Sequence, residues 1–240
     1  MNRTVEMRQN GFFKIFSDAI TLYEISAAES SEHIKTTIAK ASILSTNYAL
    51  EAAANSFLSS VDITKKLKDE IDRLSTIDKF DFILQWHNKK SLPRGVIQTQ
   101  AIKELISQRN ALVHPKINSI KLNIKTKSGD VNYSYIHESI DESGTSKSKL
   151  SNISLDPDRY TEEDALIAVK VLVRFLNIYV NKWWGIDVEE SANFLMPTWT
   201  GSIKAKSVMY ERKSLETVLR NNDDLKIEFL GLYGILEQFA

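Results

Sequence analysis

At 240 residues with 42% hydrophobic content, the chain can bury one large core, or the core of an ordinary domain that carries an appendage. Lys plus Arg and Asp plus Glu number 31 each, so no global field draws it to nucleic acid or an anionic membrane, and a polyanion must be held by a local site. The lack of cysteine excludes a disulfide framework and a thiolate zinc site, and the four histidines (His33, His87, His114, His137) show no metal-ligand spacing.

The first residues, MNRTVEMRQNGFFKIF, lack the uninterrupted apolar run of a signal peptide, and no stretch reaches the roughly 18 apolar residues of a membrane span. Ala165 to Trp184 comes closest but is interrupted by Lys170, Arg174, Asn177, Asn181 and Lys182, which makes it a core helix. The expectation is a cytoplasmic protein without a membrane partner.

Eight glycines and four prolines favour long helices over a many-turned β architecture. In chain order, helices are expected over Phe12 to Ala28 and Glu32 to Ser60, with Ser30 and Ser31 offering an N-cap between them. Shorter helices follow at Thr64 to Leu74 and Ile77 to His87, then a loop, Asn88 to Gly95, and a helix from Val96 to Val113. Pro115 has no N–H and disfavours helical backbone before it, so that helix should end at His114.

Alternation around Ser128-Gly129-Asp130 predicts a β-hairpin with strands Lys121–Lys125 and Val131–Ile136. Asp141 to Asn152, rich in Ser and Lys, reads as a mobile loop, in which Lys147 and Lys149 keep the segment solvated even though such residues can touch a phosphate backbone. Thr161 followed by Glu162, Glu163 and Asp164 resembles a capping box opening a central helix to Trp184. Beyond Gly185 the pattern weakens to a short strand within Ser202 to Arg212 and helices at Leu215 to Arg220 and Leu225 to Phe239. The expected organisation is a helical domain over residues 1–185, with an insertion at about 117–158, and an extension of unknown role over 186–240.

The polar intrusions in this pattern carry the chemistry. Ile102, Leu105, Ile106, Arg109, Leu112 and Val113 fall on one helical stripe, which puts an arginine in an apolar seam. A guanidinium stays charged at accessible pH and, once desolvated, requires a carboxylate or a phosphate. Four residues bring side chains onto one helix face whereas five rotate by about 140°, so Asn110 rather than Arg109 shares a face with His114. On the long second helix Leu44, Tyr48, Glu51, Asn55 and Leu58 form another stripe, with Glu51 as an internal partner for Arg109. Ala52-Ala53-Ala54 beside it lets a second helix approach closely.

The string Arg109-Asn110-Ala111-Leu112-Val113-His114, together with the earlier Tyr48-Ala49-Leu50-Glu51-Ala52-Ala53-Ala54-Asn55, resembles the higher eukaryotes and prokaryotes nucleotide-binding (HEPN) superfamily over about Phe12 to Trp184. Its motif is an arginine, a short spacer favouring a polar first residue, and a histidine. The resemblance implies an all-α bundle of five to six helices, here with a β-hairpin insertion and a mixed C-terminal extension. It implies a homodimer that joins two motifs in one cleft. Many members are metal-independent endoribonucleases of toxin–antitoxin, phage-defence or RNA-processing systems, which implies RNA as substrate, an antitoxin or other protein partner, and no cofactor.

In that chemistry Arg109 clamps the phosphate, Asn110 orients His114 or the substrate, and His114 shuttles the proton, with Glu51, Tyr48 and Asn55 in support. Other members are non-catalytic dimerisation or binding modules, the alternative for this chain, which its neutral net charge favours slightly. The competing structural reading pairs Arg109 with Glu51, bonds Asn110 to a loop and lets His114 cap the bundle. His33 and His87 read as surface residues, and Trp183 and Trp184 as core or interface rather than base-stacking platforms.

Overall fold

The computed structural model describes residues 6–115, 147–200 and 206–232, and the expected hairpin at 121–136, together with His137, lies outside them. Among the described residues the fold is mainly helical, with nine α-helices. They are α1 (Phe12–Ala28), α2 (Glu32–Leu58), α3 (Lys65–Ile71), α4 (Thr76–Asn88), α5 (Ile97–Val113), α6 (Glu162–Ile178), α7 (Val188–Leu195), α8 (Arg212–Arg220) and α9 (Asn222–Leu225). None is long and apolar enough to cross a membrane.

Small residues bring α1 and α2 together. Ala39, Ser42, Ala49, Ala53 and Ala54 are buried on α2, and the Ser42 hydroxyl donates to the Ala19 carbonyl of α1 at 2.8 Å. The α1–α2 turn is held by Glu29, whose carboxylate accepts from the Ser30 and Ser31 backbone N–H groups at 2.8 Å, a cap that keeps its pKa low. Ser31 is the N-cap residue as expected, yet its own side chain makes no capping bond.

The direction of α6 fixes which residues meet. Lys40 and Lys35, early in α2, pair with Asp158 and Glu162 at the start of α6, at 2.6 and 3.8 Å. Phe57, at the end of α2, stacks on Tyr179 just beyond α6, with centroids 5.8 Å apart. The two helices therefore run parallel. Thr161 and Asp164 form the expected capping box at the start of α6. The helix does not stay α-helical to Trp184, because Tyr179–Trp184 widens into a π-helical turn that Gly185 closes at φ 77°, a backbone conformation glycine adopts without strain.

At that end the core is aromatic, with Phe80 packed edge to face against Phe175 and Tyr179 and the buried Tyr179 hydroxyl donating to the Phe80 carbonyl at 3.0 Å. Burial pushes the Tyr179 pKa well up, so it remains a donor. Trp184 belongs to this core and Trp183 packs against it.

Residues 186–200 and 206–232 are built into the bundle. β1 (Met7–Arg8), β2 (Thr198–Thr200) and β3 (Lys206–Val208) form an antiparallel sheet in that order, pairing Met7 with Trp199 and Trp199 with Ser207. Phe229 packs edge-on against Phe12 and Phe16 of α1, and Arg220 of α8 grips Glu24 through two bonds of 2.9 and 2.7 Å. The strand expected within 202–212 is present. The first strand and α7 were not legible in the sequence. The helix expected over Leu225 to Phe239 does not run through its described part: α9 ends at Leu225, Lys226 turns left-handed at φ 55°, and Ile227, Phe229 and Leu230 are buried as irregular chain, while residues 233–239 lie outside the described residues. Asn177 secures that segment, donating to the Lys226 carbonyl and accepting from the Glu228 N–H.

Candidate functional site

Two anchors give α5 its direction. Just before it, Asn88 donates to the carbonyls of Trp183 and Trp184 at 2.9 and 2.7 Å, at the far end of α6. Further along α5, Glu104 holds the turn Lys147–Ser154, whose Ser154 N–H bonds Asp164 at the start of α6. Thus α5 runs antiparallel to α6 and to α2. Its C-terminus lies at the end of the bundle where α2 and α6 begin.

The helix closes as its sequence requires. His114 is the C-cap residue at φ −131°, ψ 62°, its N–H bonds the Asn110 carbonyl at 2.9 Å, and Pro115 follows. Along the expected seam Ile102 and Leu105 are buried, but Ile106, Arg109, Leu112 and Val113 are only half-buried. The buried polar residues of this helix are Thr99, near its start, and Gln108, 6% exposed, with neither Gln108 side-chain amide atom hydrogen-bonded. Gln108 follows Ala101 and Leu105 at helical spacing, so the core-facing stripe passes through 101, 105 and 108 and leaves Arg109 at its edge.

Arg109 donates through Nη1 to Asn110 Oδ1 at 3.0 Å, a bond between neighbours along the chain. Asn110 and His114 are exposed. Among the described residues no carboxylate lies within ion-pair distance of Arg109, and the anticipated pair with Glu51 is not formed. The antiparallel course of α5 explains this: Tyr48, Glu51 and Asn55 occupy the C-terminal half of α2, towards the opposite end of the bundle. All three are exposed, and Asn55 instead accepts from Lys79 of α4 at 2.7 Å. The structure thus gathers Arg109, Asn110 and His114 on one helix end but does not bring Tyr48, Glu51 or Asn55 to them.

Sequence reasoning missed Lys79, only 3% exposed, which bridges Asn55 and Asp72 at 2.7 Å each. It also missed Glu104, whose Oε2 accepts from the Leu150 N–H (3.2 Å), the Ser151 N–H (3.0 Å) and the Ser151 hydroxyl (3.0 Å). Burial raises the Glu104 pKa, but these hydrogen bonds outweigh it and the net shift is downward. The described part of the expected mobile loop is therefore a docked turn, with Ser148 and Ser151 buried. Nothing in a Ser/Lys composition distinguishes a solvated turn from one anchored to a distant carboxylate.

His33 and His87 are exposed, as expected. His87 stacks on Trp184 with centroids 5.2 Å apart and its Nε2 lies 2.9 Å from the Ser60 hydroxyl; the partial desolvation of its ring lowers its pKa. Among the described residues no three His, Asp or Glu side chains converge as a metal site would require. No protein-family model, no curated protein and no solved structure matches the chain.

Proposed function

We propose that the C-terminal end of α5 is a phosphate site for RNA cleavage of the HEPN type, formed where two copies of the chain bring their motifs together. The observation that carries this reading is that Arg109, half-buried, has no carboxylate partner among the described residues, whereas Arg94 holds Asp78 and Asp81 at 2.6 and 2.9 Å and Arg220 holds Glu24. A guanidinium at the edge of a core and free of carboxylates is suited to an oxyanion supplied from outside.

Helix electrostatics support two copies rather than one. The C-terminus of α5 carries roughly half a negative charge, which opposes a phosphate. Arg109 offsets that repulsion, and a second Arg109 from a facing copy would add the charge needed as the phosphoryl oxygens become more negative.

In the reaction, the ribose 2′-oxygen attacks the adjacent phosphorus and its proton passes to a base. The bond from phosphorus to the 5′-oxygen breaks, and that oxygen takes a proton from an acid, leaving a 2′,3′-cyclic phosphate and a 5′-hydroxyl. Imidazoles from two copies of His114 fill both proton-transfer roles, Asn110 steadies the guanidinium it already touches, and no step requires a metal. The attacking 2′-hydroxyl makes the substrate RNA.

The test is incubation of the full chain with mixed RNA in EDTA between pH 5 and 9. Cleavage that is lost in both Arg109→Ala and His114→Ala supports the reading. Intact RNA across the range refutes it and leaves a non-catalytic dimerisation or binding module.

A further inference from the structure

The segment Lys147–Ser154 is an internally bonded knot. The Ser148 N–H donates to the Ile153 carbonyl at 2.8 Å, the Ile153 N–H donates to the Ser148 hydroxyl at 3.1 Å, and the Ser148 and Ser151 hydroxyls share a 2.5 Å hydrogen bond. Asn152 closes it at φ 58°, and Glu104 fastens it to α5 through three further bonds. The two serines are buried, and the exposed residues of the turn are Lys147, Lys149, Leu150 and Asn152. Both lysines are exposed, and among the described residues neither has an ion-pair partner.

A chain gains nothing in solubility by burying two serines and a carboxylate's lone pairs to immobilise two lysines that would be solvated on a loose loop. Immobilisation reduces the ordering cost when those ammonium groups bind something. Glu104 lies five residues before Arg109, about 7.5 Å along the helix axis and about 140° around it, so the turn sits at the same end of the bundle but flanks Arg109, Asn110 and His114 rather than sharing their face.

We propose that this turn is the phosphate-backbone arm of the α5 site: Lys147 and Lys149 contact single-stranded RNA beyond the reacting phosphate, and Glu104 is the positioning residue that holds them there. The proposal rests on the RNA reading of α5. It assigns a carboxylate a role opposite in sign to its charge, since Glu104 repels the polyanion directly yet promotes its binding through the turn.

That sign gives the test. A fluorescein-labelled, fully 2′-O-methylated single-stranded RNA, which lacks the attacking hydroxyl, is titrated with the full chain by fluorescence anisotropy between 50 and 200 mM KCl. Lys147→Ala with Lys149→Ala should weaken binding and reduce the log–log salt slope by about 1.4, so that the affinity lost across this range shrinks about 7-fold. Glu104→Ala should weaken binding in the same direction, although it removes a negative charge, while E104Q, which retains an acceptor oxygen, should keep most of the affinity. Circular dichroism confirms that each variant is folded. If the double lysine variant binds with the wild-type affinity and slope, or Glu104→Ala binds more tightly, the arm is refuted while the RNA reading stands. If the wild type does not bind at 50 mM KCl, both are refuted.

Discussion

The two ends of α5 carry the same residue types, arginine and asparagine, and use them differently. Before its N-terminus, Asn88 caps two carbonyls of the π-helical turn, Arg94 is clasped by Asp78 and Asp81, and Asp81 also accepts from the Leu92 N–H at 2.7 Å. At its C-terminus, Arg109 bonds only its neighbour Asn110 among the described residues, and His114 is exposed. A polar group that the fold consumes is part of the scaffold. A cation left without an anion at the edge of a core is where a ligand would be expected.

Substitutions at the two ends should therefore separate stability from activity. The largest loss of stability should come at the N-terminal end, where Asp81→Ala leaves the Leu92 N–H without its acceptor. Chemical denaturation should show a loss of about 1 to 3 kcal/mol, and a change below a few tenths would break the contrast.

The next effect has the opposite sign. Gln108→Leu replaces two unpaired buried amide atoms by an apolar side chain of similar size, so the unfolding free energy should rise by about 1 kcal/mol or more. A fall would show that the amide has a partner that the fold has not revealed.

The smallest effect is a pH dependence. Partial desolvation of the exposed His87 ring where it stacks on Trp184 holds its pKa below the ordinary value of 6.5, so below that value the unfolded chain takes up protons that the folded chain refuses. The stability that His87 contributes is complete above pH 6.5 and is lost as pH falls towards the depressed value. A His87→Gln variant should flatten that part of the melting profile between pH 7.5 and 5, and an unchanged slope would argue against it.

What could be anticipated from the sequence was local. Helix periodicity placed α1 to α5, Pro115 fixed the end of α5 at His114, and the Thr161–Asp164 pattern fixed the start of α6. What escaped was set by direction and distance. The proposed meeting of Arg109 and Glu51 required α2 and α5 to align in a register that their antiparallel packing does not provide. Helical spacing alone also could not choose between stripes one residue apart, which is why Gln108 rather than Arg109 is the buried polar group. The described residues after Gly185 looked loose because their elements are short and because Ile227, Phe229 and Leu230, whose sequence reads as helix, reach the core as irregular chain.

The most direct measurement is RNA cleavage by the wild type and by Arg109→Ala and His114→Ala in EDTA, with the melting temperature of each protein recorded in the same buffer. Cleavage should fall about 100-fold or more in both variants, while stability shifts by no more than about 0.5 kcal/mol. Cleavage unchanged in either variant, or lost only in step with the melting temperature, would contradict the assignment of the α5 C-terminus as a site.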